Sequence, residues 1–370
     1  MTVAEVVTGN GRLRYVVVDN HGELVEPIAR YLKYLDLCGK ARNTLRTYAG
    51  SLAFYFTFLR QKGLDYRRVQ IADLAAFVHW LKRTDRPRGA VVPTQVRSNR
   101  TINLHLGVVS GFYEYAWRTD QIDRDLNEKL RGQARGSYRP YKAFLHHLGT
   151  TPIQRNVLKQ PTDRRRGPQT LTTTQIEQVL ETCKTPRDRL IVHMLFETGL
   201  RPGELLALWL EDVRISPPQL QVVDRGELVN DAEIKRPASE RTIDVSRDLI
   251  NRVLDYVSAT HTEAVETNHL LLKQHGKRMG APMDYGDLHA VFTRLKRRTG
   301  IGFSPYTLRH TSLTNLARAG WAPEHLQDRA GHAQFQTTYT FYVHPTDEDL
   351  RNAWEQTQEA VRLAVAAEAI

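Results

Sequence analysis

Between residues 120 and 170 the apolar spacing that fills the preceding hundred positions stops, and this break constrains the chain more than any other feature. Arg131-Gly132-Gln133-Ala134-Arg135-Gly136-Ser137-Tyr138-Arg139-Pro140 holds glycines and a proline that interrupt any helix. Thr162-Asp163-Arg164-Arg165-Arg166-Gly167-Pro168 reads as a basic, extended linker, and Leu148 to Leu158 as cover for part of the surface before it. A chain of 370 residues is long enough for a separate core on each side of such a break. The division runs as an extension over 1–20, a helical domain over 21–137, a linker over 138–170, a second domain over 171–345 and a terminal helix over 346–370.

The first part is helical in pattern. Leu13 to Asn20 is a short strand candidate, after which Ile28, Tyr31, Leu32 and Leu35 share a helix face that Gly39 ends. Asn43 or Thr44 is placed to cap a second helix carrying Leu45, Tyr48, Leu52, Tyr55, Phe56 and Leu59, stopped at Gly63. Ala72–Arg83 and a helix from about Ser98 through Ala116 repeat the scheme around a loop rich in Arg, Pro and Gly.

The second part changes texture. Thr172 to Thr174 cap a helix, Asp188 to Leu200 is strongly apolar, and Gly199 permits a reversal before Pro202 opens the next helix. Leu220–Asp224 and Arg241–Val245 alternate as strands around Glu233-Ile234-Lys235-Arg236-Pro237. Helices follow near Leu249–Val257, Gly286–Thr299 and Thr307–Ala319, and Gly331-His332 is read as a later helix start. Asp347 to Ala367 is a single helix in pattern, with Leu350, Trp354, Thr357, Val361 and Ala364 on one stripe.

Charge separates the halves as sharply. Residues 1–170 hold 29 Lys and Arg against 14 Asp and Glu, whereas 171–370 hold 23 against 27. A basic half of that kind is built for a polyanion, because each neutralised phosphate releases counterions. The excess is spread over many helices rather than one amphipathic segment, which argues against a membrane surface. No apolar run approaches the roughly 20 residues that span a bilayer, and Met1 to Val6 lacks a signal-peptide pattern. Cys38 and Cys183 stand alone without metal spacing, so a reduced cytoplasm is expected, and a structural zinc is not. His146-His147 has no partner at ligand spacing.

Four boxes carry the functional signal: Thr198-Gly199-Leu200-Arg201-Pro202-Gly203-Glu204-Leu205, Leu308-Arg309-His310-Thr311, Ala330-Gly331-His332, and Thr337-Thr338 followed by Tyr342-Val343-His344. In this order they resemble the tyrosine recombinases of the phage-integrase family, over residues 171–345 for the catalytic domain and about 21–120 for the helical core-binding domain. The resemblance implies a mainly α fold with a small β-sheet. An N-terminal helical core-binding (SAM-like) domain would join an α+β catalytic domain in a C-shaped DNA clamp.

The chemistry explains the residue types. Attack on a phosphodiester builds negative charge on nonbridging oxygens, which Arg201 and Arg309 are suited to clamp through always-charged, bidentate guanidiniums. Tyr342 is the expected nucleophile. The resemblance implies a 3′-phosphotyrosine, a 5′-hydroxyl leaving group protonated by Lys235, with Arg236 a neighbouring competitor, and His332 on a nonbridging oxygen or in proton transfer. Glu204 is expected to orient the first arginine, and His310 to satisfy buried backbone groups. No metal, nucleotide or other cofactor is expected. Lys40, Arg42, Thr44, Arg46, Arg97 and Arg100, near helix starts of the basic half, are the expected DNA contacts, with solvated caps the bland alternative.

Two departures stand out. The family places histidine, sometimes lysine, where this chain has Tyr306. A phenol, titrating near ~10, is a poor base, which leaves proton removal to His332 or water. The commonest spacing from Gly-His falls on Phe341, so Tyr342 lies one residue late and Tyr339 is the runner-up. The partners implied are double-stranded DNA and a homo-tetramer assembled on it, with or without partner recombinases, and with the terminal helix linking protomers in trans. Two competing readings share the motifs: a type IB topoisomerase-like relaxing enzyme and a catalytically weak accessory DNA binder.

Overall fold

The computed structural model describes residues 1–9, 12–82, 97–123, 126, 131–133, 154–156, 158–162, 169–234, 239–263, 265–333, 351, 354, 355, 357 and 358. They fall into two compact units, residues 1–165 and 166–370. Among the described residues, no helix is long and apolar enough to cross a membrane.

The first unit begins with an antiparallel hairpin of β1 (Thr2–Val7) and β2 (Leu13–Val18), paired from Thr2↔Val18 to Val7↔Leu13. Only the second strand was legible as one. Tyr15 and Val17 alternate inward and are buried, so residues expected as an extension complete the first core. Four helices follow: α1 (Glu26–Leu37), α2 (Arg42–Lys62), α3 (Ile71–Lys82) and α4 (Asn99–Arg118). Arg14 Nε reaches Asp36 Oδ2 at 2.8 Å and ties the hairpin to α1.

Helix α2 ends where Gly63 takes the left-handed conformation (φ 65°), as its position predicted. Its start differs from expectation. Ala41 is the N-cap, with no side-chain cap, and Asn43 and Thr44 lie inside the first turn. Helix α4 does carry a polar cap, Ser98 Oγ accepting from Thr101 N at 3.2 Å.

The core between these helices is aromatic: Tyr55, Phe56, Phe58, Phe77, Phe112 and Tyr113. The two buried phenols share a hydrogen bond of 2.7 Å, and the Tyr113 hydroxyl donates to Tyr66 O at 3.0 Å. Burial without such partners would be costly for either hydroxyl.

Of the connector, the basic stretch 163–168 read as extended lies outside the described residues. Short strands β3 (Arg131–Gln133) and β4 (Gln154–Asn156) pair antiparallel. Asn103 on α4 exchanges two hydrogen bonds with the Gln160 backbone, at 2.9 and 2.8 Å, and Asn99 donates to Pro161 O at 2.7 Å. Leu158 packs on the first core, and the rest of the 148–158 stretch expected there lies outside the described residues except for β4.

The second unit contains α5 (Thr173–Thr182), α6 (Pro186–Thr198), α7 (Pro202–Ala207), α8 (Arg247–Thr260), α9 (Tyr285–Thr299), α10 (Pro305–Arg318) and α11 (Pro323–Ala330). A three-stranded antiparallel sheet runs in the order β5 (Val213–Arg214), β6 (Gln219–Val222), β7 (Arg241–Asp244). Apolar α6 is the central element; Ile191, Met194 and Leu195 have no exposed surface. It packs on α10 and α8 and delivers Gly199 to the turn that opens α7. Of the terminal helix expected over 347–367, residues 351, 354, 355, 357 and 358 are helical, with Trp354 63% exposed. Leu350, Val361 and Ala364 lie outside the described residues.

Candidate active site

The site forms where α6 and α11 end. A helix leaves its last carbonyls without intrahelical donors, and at a buried end something else must supply them. In α11 arginines do so, one per residue. Arg241 Nε donates to Arg329 O at 2.8 Å, Arg309 Nη2 to Ala330 O at 2.7 Å, and Arg201 Nη2 to Gly331 O at 2.6 Å. Arg309 also donates through Nη1 to Gly199 O just past the end of α6. Arg329 Nη2 reaches Glu197 O at 3.0 Å on the same helix end.

Gly331-His332 therefore closes a helix instead of opening one, a correction to the sequence reading. Gly331 is the left-handed C-cap of α11 (φ 61°). A Cβ there would stand 2.7 Å from Arg241 Nη1 and 3.2 Å from Arg201 Nη1, so both conformation and space call for glycine.

Arg201 is the N-cap residue of α7, and Glu204 at its third position reaches back. Glu204 accepts from Arg201 N at 2.8 Å and from Arg201 Nη1 at 2.5 Å. Arg241 closes the pair from the other side, its Nη2 at 2.9 Å from Oε2 and Nη1 at 3.2 Å from Oε1. The carboxylate is 1% exposed. Burial alone would raise its pKa; the hydrogen bonds and charge of Arg241, then the charge and amide of Arg201, outweigh burial and hold it at about 2.

Arg309 is 3% exposed, and its Nη2 lies 3.0 Å from His332 Nε2. A guanidinium can only donate, so that ring nitrogen accepts and the imidazole is neutral. Burial pushes the His332 pKa down to about 3, and Arg309, Arg201, Arg241 and His310 add to the effect. His310, half-buried beside Arg309, is lowered by burial first and by Arg309 second.

Arg201, Glu204, Arg309 and His332 are thus brought together, with His310 adjacent. Tyr306 is not part of the ring. It is the second residue of α10, 55% exposed, and makes no hydrogen bond among the described residues. Lys235, Arg236, Tyr339 and Tyr342 lie outside the described residues. The chain leading to Lys235 is anchored. Asn230 Nδ2 donates to Leu206 O at 2.9 Å and Met283 O at 2.8 Å, and a Cβ on Gly203 would meet Glu233 O at 2.5 Å. Among the described residues, no group of three His, Cys, Asp or Glu side chains is placed to hold a metal ion.

Arg241 escaped the sequence reading, and a signal for it exists. Alternation in β7 puts it on the face of Ile243, which is 1% exposed, so an arginine occupies an inward register position. Arg329 was missed as well; its charge is half-buried against the Trp321 ring, 5.5 Å from the centroid, and burial lowers its pKa.

In the first unit, Lys40, Arg46 and Arg100 are exposed near the starts of α2 and α4, and Thr44 is half-buried. Arg42 is only 7% exposed. Arg97 lies 4.8 Å over the Phe54 ring and donates to Leu81 O at 3.3 Å.

Comparison with known proteins places both units in one family. The model of the phage integrase family matches residues 169–349, and that of the phage integrase N-terminal SAM-like domain matches residues 28–120. Transposase A from transposon Tn554 of Staphylococcus aureus is 34% identical over 348 residues, covering 93% of this chain and 94% of the relative. The tyrosine recombinase XerA of Saccharolobus solfataricus is 24% identical across 88% of this chain and 90% of its own. Among solved structures, the Tn1549 transposon integrase in complex with circular intermediate DNA shares the fold, with a TM-score of 0.62 at 19% identity over 90% of this chain and 98% of that one.

Proposed function

The chain belongs to the phage integrase family and is a tyrosine recombinase, a DNA strand-breaking and rejoining enzyme, and from that premise we propose that it serves a mobile element as its site-specific integrase or transposase. The 34% identity to a transposon transposase along nearly the full length of both chains supports the element-borne role. The observation that carries the chemistry is the pair Arg201 and Arg309, fixed on the carbonyls of one helix end with His332 3.0 Å from the second.

Double-stranded DNA is the substrate. Two guanidiniums held by backbone carbonyls need no reorganisation when charge builds on the nonbridging oxygens, which is where preorganised donors lower a barrier most. The Tyr342 oxygen attacks phosphorus and gives up its proton to His332 or water, the P–O5′ bond breaks as the 5′-oxygen takes a proton from Lys235, and a 3′-phosphotyrosyl ester remains. Rejoining reverses the step with a different 5′-hydroxyl.

His332 begins neutral, with Nε2 accepting from Arg309. With Nε2 accepting, the neutral ring carries its proton on Nδ1, and that N–H is the proposed donor to a nonbridging oxygen. Tyr306, exposed at the start of α10, is free to turn toward a phosphate as a hydrogen-bond donor. Lys40, Thr44, Arg46 and Arg100 are the proposed backbone contacts of the helical unit, while Arg42 is buried and Arg97 is engaged with the Phe54 ring and the last turn of α3. Strand exchange between two duplexes calls for four protomers, and the segment 346–370 is the proposed link between them. Synapsis that survives deletion after His344 would remove that role. The proposed workplace is the cytoplasm, where the element's DNA lies.

Covalent trapping tests the reading. A nicked suicide substrate made from the element's ends should yield an adduct whose peptide map ends on Tyr342. An adduct on Tyr339 keeps the chemistry and shifts the box. Tight binding without any adduct points to an accessory binder, and supercoil relaxation without recombinants points to a topoisomerase-like activity.

A further inference from the structure

Arg241 joins two parts of the second unit that are distant in sequence to the turn just before its own strand. Its Nη groups grip both oxygens of Glu204 on α7, its Nη1 donates to Ser239 O at 2.9 Å, and its Nε donates to Arg329 O at the end of α11. Ser239 lies on the stretch that returns from Lys235 into β7, so the same side chain holds the exit of that loop. With its side chain 9% exposed against 15% for Arg201, and four hydrogen bonds on its nitrogens, Arg241 is the less open of the two to a ligand.

We infer that Arg241 is a positioning residue for strand cleavage: it fixes Glu204, and through it Arg201, in register with the Gly331-His332 turn and with the foot of the Lys235 loop. The inference deepens the recombinase reading and rests on it for its effect on cleavage. Its physical core is separate. Glu204 is enclosed by Arg201 from its own helix and Arg241 from β7, and His332 by Arg309, Arg201, Arg241 and His310. Without Arg241 a buried carboxylate keeps one cationic partner of two, and burial then works toward its protonation.

The test uses the full-length chain with Arg241→Met, Arg241→Lys, Glu204→Gln and the Arg241→Met/Glu204→Gln pair. Single-turnover adduct formation on the suicide substrate is followed from acid to alkaline pH at saturating DNA. Arg241→Met should slow cleavage roughly 10–100-fold, the usual effect of removing a group that orients a reacting one, without weakening DNA binding. Its rate should fall further toward acid pH along a limb absent from the parent. That limb should vanish in the double variant, which separates Glu204 from His332. Arg241→Lys, keeping the charge and losing the fork, should recover part of the rate and carries the test if the Met variant does not fold. An unchanged rate in the substituted chains, or an acid limb that persists without Glu204, overturns the assignment.

Thermal unfolding against pH gives an answer independent of cleavage. Destabilisation by Arg241→Met should be greatest near neutrality and shrink as pH falls from about 4.5 toward 2, where Glu204 is protonated in the parent as well. If the parent forms no adduct, the recombinase chemistry fails on its own. A destabilisation that ignores pH would then overturn the Arg241–Glu204 coupling in turn.

Discussion

The two units use cationic side chains in opposite ways. In residues 1–165, Lys40, Arg46 and Arg100 stand in solvent near helix starts over a core closed by aromatic rings. In residues 166–370, Arg201, Arg241, Arg309 and Arg329 are drawn inward and spend their donors on backbone carbonyls and one carboxylate. The first arrangement offers mobile charge to any polyanion, and its worth falls as salt rises. The second is preorganised: geometry is fixed before a substrate arrives, and salt reaches it poorly. A surface charge count sees only the first.

The sharpest break in this contrast should come from Arg309. Arg309→Ala strands the carbonyls of Gly199 and Ala330 in a buried place, about 1–3 kcal/mol each, and removes a donor worth roughly 10²–10³ in cleavage rate. Calorimetry and adduct kinetics together check it, and Arg309→Lys should not restore the rate because one ammonium cannot span both carbonyls. An alanine variant with parental stability would mean that the inward cations are not part of the frame.

Glu204 sets the next effect. Its folded pKa, about 2, lies below the ordinary 4.5, so its contribution is complete above about 4.5 and is lost as pH falls toward 2. The difference corresponds to roughly 3 kcal/mol. Acid unfolding of Glu204→Gln should therefore lack that part of the pH dependence, while the variant is less stable than the parent at pH 7. Gly331→Ala comes after it. A left-handed alanine costs about 1–2 kcal/mol, and its methyl would displace Arg241 or Arg201, so cleavage should fall more than stability.

The smallest effects on stability should come from the first unit. Neutralising Lys40, Arg46 or Arg100 should leave unfolding within about 0.5 kcal/mol. Each should lower the slope of log affinity against log salt by about one if it contacts a phosphate. Cleavage at saturating DNA should not change. A slower cleavage step in these variants would erase the distinction between the two kinds of cation.

Sequence pattern foretold some of this and not the rest, for physical reasons. Apolar residues at threes and fours place α1 to α4, because burial on one face is a local property of a helix. Gly63 and Gly199 mark helix ends because only the left-handed turn requires them. Strand β1 was invisible, since Thr2 to Val7 gains its conformation from pairing with β2. Arg201, Glu204, Arg309 and His332 were legible through their boxes, whereas Arg241 sits in an alternating strand outside them, where only its inward register beside Ile243 marks it. What makes it special is the end of α11, 88 residues later in the chain. The direction of Gly331-His332 was misread for a related reason: a glycine before a polar residue can close one helix or precede another, and the arginines that decide the matter come from elsewhere.

The three carbonyls at the end of α11 belong to consecutive residues, and each is read by a different arginine. Sliding the helix by a single residue, about 1.5 Å along its axis, would move all three acceptors together. No half-shifted arrangement keeps some of the contacts and gives up others cheaply. A pull on α11 would therefore be felt by three arginines at once, and through them by Glu204 on α7 and the carbonyl of Gly199 at the end of α6.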